Sequence, residues 1–131
     1  MYETTSAVRW LQALSVVHAC VGLGVVPLLA RQVLRSELVV LLVLHGALAV
    51  LVAFALLVHY RFALQIALGF SLTVTLVGLG AVIALPVPSG MMRSTFLLVR
   101  GMALLLVLPS LGSVLVCLLV GNLRQAIFHP L

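Results

Sequence analysis

The sequence predicts an all-α integral membrane protein: four transmembrane helices in a compact bundle with short loops. Three observations lead there. Of the 131 residues, 65% are hydrophobic and only 7% are charged, whereas a soluble domain carries about 25% charged residues to cover its surface. The apolar residues fall into four runs, each near the ~20 residues that a helix needs to cross the hydrocarbon of a bilayer. Between the runs stand arginine, proline and glycine, which anchor helices at the headgroups or end them.

The four predicted helices span about 6–30, 38–60, 62–85 and 95–120. The first is followed by RQVLRSE. It is too long for a signal peptide and no cleavage signal follows, so it is expected to stay in the mature protein. The second and third are separated by HYRF alone, where Tyr60 and Arg61 suit the headgroup level. The third ends at PVPSG, a segment no helix traverses. The fourth closes with GNLRQ. One four-helix domain, 1–131, takes up the chain and leaves no room for a soluble one.

The formal charge of +5 comes from seven arginines and no lysine. In a soluble protein it would suggest nucleic acid. Here the arginines sit near the ends of apolar runs, so the lipid bilayer and its anionic headgroups are the expected partner, with no nucleic acid. Four spans put both termini and HYRF on one side, with Arg9, Arg61 and Arg124. Arg31, Arg35 and Arg93 lie on the other, joined by Arg100 if it snorkels back. That near-balance gives the positive-inside rule little to act on. A partner subunit or dual insertion would have to set the orientation.

The chemistry-bearing residues are few. The acids are Glu3 and Glu37, both at or beyond helix ends, and there is no Asp. The intramembrane carboxylate on which small multidrug exporters exchange drug for protons is therefore missing. The dual-topology fluoride channels share this length and span count, and STF at 94–96 echoes their phenylalanine motif. Their second-span asparagine has no counterpart, because the one asparagine is Asn122. No phosphate loop, Ser–His–Asp set or HExxH is present, so neither an enzyme nor a metal site is expected. Cys20 and Cys117 read as small apolar packers.

Small residues at helical spacing mark the expected helix packing. Gly69, Thr73, Gly80 and Ala84 form a stripe on the third helix. Pro109, Ser113, Cys117 and Gly121 form one on the fourth. Ala49 and Ala53 on the second helix, and His18 and Gly22 on the first, continue the theme. Lipid supplies no hydrophobic drive between helices, so close approach through small side chains draws them together. These stripes are expected to pack the bundle internally, with a seam to a second copy or a partner as the sharper alternative. Pro109 is expected to kink the fourth helix, with Ser110 or Ser113 capping the freed carbonyl.

His45 and His59 lie fourteen residues apart in LHGALAVLVAFALLVHY, about four turns of helix and so nearly on one face. This stretch, 44–60, resembles the haem-carrying helices of membrane b-type cytochromes, and LHGALA resembles their His-x-x-x-small pattern. The resemblance implies haem b held between imidazoles, with His18 as the partner on the first helix. Register argues about which pair: with facing ends near 30 and 38, His45 is off the level of His18 by roughly 7 Å and His59 by roughly 14 Å. His59 is therefore expected at the interface, and His129 is expected to be exposed. His18 and His45 remain as candidate cofactor-binding residues, with Gly22, Gly46 and Ala49 leaving room for a flat ring. A (bacterio)chlorophyll needs only one imidazole. The structural alternative is a neutral histidine hydrogen-bonded to a neighbouring helix, and quinone or ion handling is a further one.

The function expected from these features is a small non-catalytic subunit of a larger membrane complex, of the energy-transducing (respiratory or photosynthetic) kind, in a bacterial inner membrane. Its partners would be other membrane subunits or copies of itself. A haem b- or pigment-carrying electron-transfer or light-harvesting subunit is the alternative, and a small channel or carrier the third.

Overall fold

The computed structural model describes residues 6–32, 34–84 and 93–128. The PVPSG break, Glu3, His129 and both termini lie outside them. The described chain is all-helical, and four of its helices are long and apolar enough to cross a membrane. We number them α1 (Ser6–Ala30), α2 (Ser36–Leu57), α3 (Ala63–Ala84) and α4 (Arg93–Leu119). A short α5 (Gly121–Phe128) follows.

The helices alternate in direction, as their shared end-cores show. Val8 and Leu11 from the start of α1 meet Leu56 from the end of α2, Leu64 from the start of α3 and Cys117 from the end of α4. At the opposite end Val26 and Ala30 of α1 pack with Met102 of α4, flanked by Leu42 of α2. Between the two ends, Ala19, Ala49 and Ala53 let α1 and α2 approach closely. The alanines and Cys117 are all buried.

Two departures from the regular helix matter. Residues Val21–Val25 of α1 form a π-helical turn, closed by the Val26 N–H donating to the Val21 carbonyl. Pro27 follows immediately and has no N–H to continue an ordinary ladder. In α4 the helix runs on through Pro109. The Ser110 and Ser113 hydroxyls donate to the carbonyls of Leu106 (2.9 Å) and Pro109 (3.0 Å). The expected cap on the carbonyl freed by Pro109, that of Leu105 four residues back, is not what these serines provide.

The α2–α3 turn shows how HYRF reverses the chain. α2 stops at Leu57 because His59 adopts the left-handed conformation (φ 56°). Tyr60 N–H then donates to Ala55 O (3.0 Å) and His59 N–H to Leu56 O (3.3 Å). These are the two bonds of a Schellman cap, a position that usually takes glycine. Tyr60, Phe62 and, from α1, Trp10 are exposed at this end, the aromatic placement expected of a membrane interface.

The small-residue stripe on α3 requires a correction. Gly69, Thr73 and Gly80 are exposed, and among the described residues no atom of another element lies within 4 Å of where a Cβ would sit on either glycine. Ala84 ends the helix, and its side chain lies outside the described residues. The inward face of α3 is instead Ala67, Ser71, Thr75 and Gly78, with Gly78 against the side chain of Val107 on α4. The reason is angular. A run of small residues can be read on either side of an almost uniformly apolar helix, and periodicity then has nothing to choose between. On α4 the inward stripe holds for Pro109, Ser113 and Cys117 but not for Gly121, which is exposed at the start of α5. α5 itself was not anticipated. It folds back to bury Ile127 in the terminal core, and Gln65 Nε2 donates to Ile127 O (3.2 Å).

Candidate functional site: a three-helix polar link and the cavity beside it

His18 and His45 meet at the centre of the bundle. Their Nε2 atoms are 3.1 Å apart, and His18 Nδ1 lies 3.0 Å from Ser110 Oγ. The link joins α1, α2 and α4. The depth offset expected from the sequence shrinks once the true helix ends are used. His18 is twelve residues before Ala30, and twelve residues after Ser36 is Leu48. His45 is then only three residues off level, about 4.5 Å at 1.5 Å per residue, which two imidazole side chains span.

Hydrogen-bond capacity orients the link. Ser110 has one hydroxyl proton and donates it to the Leu106 carbonyl, so its oxygen receives the His18 Nδ1–H. His18 Nε2 then holds a lone pair, which accepts the His45 Nε2–H. Every group is satisfied with both rings neutral. His45 Nδ1 alone is left: it is buried and without a hydrogen-bond partner. In this arrangement it is a bare acceptor, which interiors tolerate better than an orphaned N–H.

Phe70 of α3 completes the cluster, stacked on His45 (centroids 5.5 Å, planes 13° apart) and edge-on to His18 (5.4 Å). Ser15, Ser71 and Ser113 stand around His18. Phe70, Ser71 and Ser15 were not singled out from the sequence. Ser110 was, but only as a partner for the proline, because it lies one place off the 109–113–117 stripe.

The expected haem does not fit this arrangement. A metal between two imidazoles at about 2.0 Å from each nitrogen needs them about 4 Å apart, and 3.1 Å is a hydrogen bond. The planes of the two rings are 69° apart in direct edge contact, with no slot for a macrocycle between them. The space expected from Gly22 and Gly46 is closed as well. A Cβ on Gly46 would sit 2.6 Å from the Gly22 carbonyl oxygen, so that glycine serves the backbone crossing of α1 and α2. A single-imidazole pigment meets the same obstacle: His45 Nε2 is engaged and Nδ1 is buried beside Gly22. His59, by contrast, lies in the turn beyond α2, far from His18. Cys20 and Cys117 are both free, and no cluster among the described residues has the makings of a metal site.

Beside the link is a cavity of about 400 Å³. Beyond His45 and Phe70 the space between α2 and α3 is unfilled, and Leu42, Val77, Ala81, Met102 and Leu106 line the gap. Val77 lines it while 67% exposed, so the cavity opens sideways, between α2 and α3. Leu34 and Val99 mark its end toward the Arg31 and Arg35 loop.

No protein-family model matches the chain, and neither a curated protein nor a solved structure is significantly similar to it.

Proposed function

We propose that this chain is a small non-catalytic subunit of a larger membrane assembly, in a bacterial inner membrane, and that α3 is its attachment helix. The observation that carries the reading is the outward stripe of Gly69, Thr73 and Gly80, with free space around both glycines. α3 buries only 17% of its most apolar stretch inside the bundle, against 22% for α2 and 39% for α1 and for α4. A smooth, small-residue face gains nothing from lipid tails. It gains dispersion contacts from another helix that can come close. The intramembrane imidazoles support the same reading from the other side, since both nitrogens of His18 are used to tie helices together.

The test is the size of the native particle, extracted in a mild detergent and compared with Gly80→Leu. The expected result is a complex or homo-oligomer for the natural sequence, lost in Gly80→Leu at unchanged thermal stability. A particle of one chain for both, or an assembly indifferent to the substitution, would refute the reading.

A further inference from the structure

We propose that the cavity between α2 and α3 is a binding site for one anionic phospholipid of the leaflet on the Arg31 and Arg35 side. One acyl chain would lie in the cavity and the phosphate would meet the arginines at its mouth. This goes beyond the subunit reading and does not depend on it.

The lining decides what enters. It is apolar throughout its walls, and the Thr73 hydroxyl is already spent on the Gly69 carbonyl (2.8 Å). His45 Nδ1 is buried, so the floor offers no accessible acceptor. The occupant's inserted part is therefore hydrocarbon.

Depth decides how far it enters. From Ser36, where α2 begins, to His45 on the floor is nine residues, or about 13.5 Å of helix. One leaflet of a ~30 Å hydrocarbon core is about 15 Å deep. The cavity thus runs from the headgroup level to the midplane, the reach of one chain from one leaflet. A transmembrane helix crossing both leaflets would leave it halfway.

Charge decides the headgroup. Leu34 lines the mouth, and Arg35 and Arg31 beside it are exposed. On the opposite wall Val99 is followed by Arg100, whose guanidinium carbon lies 4.5 Å from the Phe96 ring. That contact turns Arg100 back toward the start of α4, the snorkelling that the sequence left conditional. Its Nε is buried without a partner among the described residues. Among the described side chains this side of the protein holds Arg31, Arg35 and Arg100 against Glu37, net +2 from three arginines and one glutamate. Guanidinium groups bind phosphate oxygens in paired hydrogen bonds.

Native mass spectrometry of the full chain tests this, with dioleoyl phosphatidylglycerol and dioleoyl phosphatidylcholine as probes of equal chain and different charge. One phosphatidylglycerol per chain should be retained, at least tenfold more tightly than phosphatidylcholine. Arg35→Gln should weaken it about fivefold, the effect of ~1 kcal/mol per basic residue at an anionic surface. Ala81→Phe, which fills the cavity from α3, should abolish the tight site without lowering the melting temperature. If that variant is unstable, Val77→Phe at the open side serves in its place. Equal retention of the two lipids overturns the headgroup assignment. Tight binding that survives a filled cavity overturns the chain assignment. A dimer cross-linked through Val77, with no lipid retained, would make a second copy the occupant and overturn both.

Discussion

His18 and His45, on neighbouring helices, share a hydrogen bond of 3.1 Å between their Nε2 atoms, and the outer nitrogen of His18 passes the link on to Ser110. In its neutral form the arrangement has one sense that leaves no N–H unpaired. ¹⁵N NMR of histidine-labelled protein should therefore find His18 protonated at Nδ1 and His45 at Nε2. Finding His45 protonated at Nδ1 would reverse the chain and leave a buried N–H without an acceptor.

Substituting His45→Leu removes the donor to His18 Nε2 and strands a buried acceptor. We expect a loss on the order of 1–2 kcal/mol, the range for interhelical hydrogen bonds in membranes and for an orphaned polar group. The melting temperature in detergent measures it. The absorption spectrum of the natural protein should show the 280 nm band of Trp10 and the two tyrosines. A Soret band would contradict the geometry argued above.

Gly22 and Gly46 face each other but should respond differently to a methyl group. A Cβ on Gly22 would meet its neighbours at 3.5 Å, ordinary contact, whereas one on Gly46 would drive into the backbone of α1. Gly46→Ala should cost about 1–3 kcal/mol as overpacking, and Gly22→Ala close to nothing. Equal melting temperatures for the two variants would mean that the helices cross elsewhere.

On α3 two glycines only two residues apart should also separate. Gly78→Leu would collide with Val107, a buried β-branched side chain with little rotamer freedom. It should unfold at a lower temperature. Gly80→Leu projects into open space and should melt like the natural protein. If Gly80→Leu is the one that melts early, the inward face of α3 has been assigned to the wrong side.

His59→Gly should stabilise the protein. At φ 56° a side chain other than glycine's is strained, and relieving it is worth about 1 kcal/mol. A melting temperature that falls would show that contacts of the imidazole outweigh the backbone strain.

The four long apolar helices and their approximate limits were legible because each run has the length that a bilayer would demand and the breaks carry proline, glycine and arginine. His18 and His45 were legible as a pair because an imidazole deep in an apolar run needs a partner. What they do with each other was not. A shift of about 4.5 Å against one of 7 Å depends on where α1 and α2 end, and helix ends are the least certain feature of a sequence reading. The inward face of α3 failed for a different reason. Its residues are apolar on every side, so composition carried no angular information, and only the contacts of Gly78 with Val107 and of Phe70 with His45 settle it. The cavity was invisible for the same cause: a gap between α2 and α3 is a property of packing, and no residue announces it.

The polar link also has an order in time. His18 and His45 lie on α1 and α2, both synthesised before α3 and α4, and the Schellman cap at His59 ends α2. Their mutual bond is thus available once α2 is made, while His18 Nδ1 waits for the Ser110 hydroxyl some fifty residues further along the chain. Until α4 arrives, the link is half made, with His18 Nδ1 still lacking the Ser110 hydroxyl. Ser110 then docks on it and ties α4 to α1.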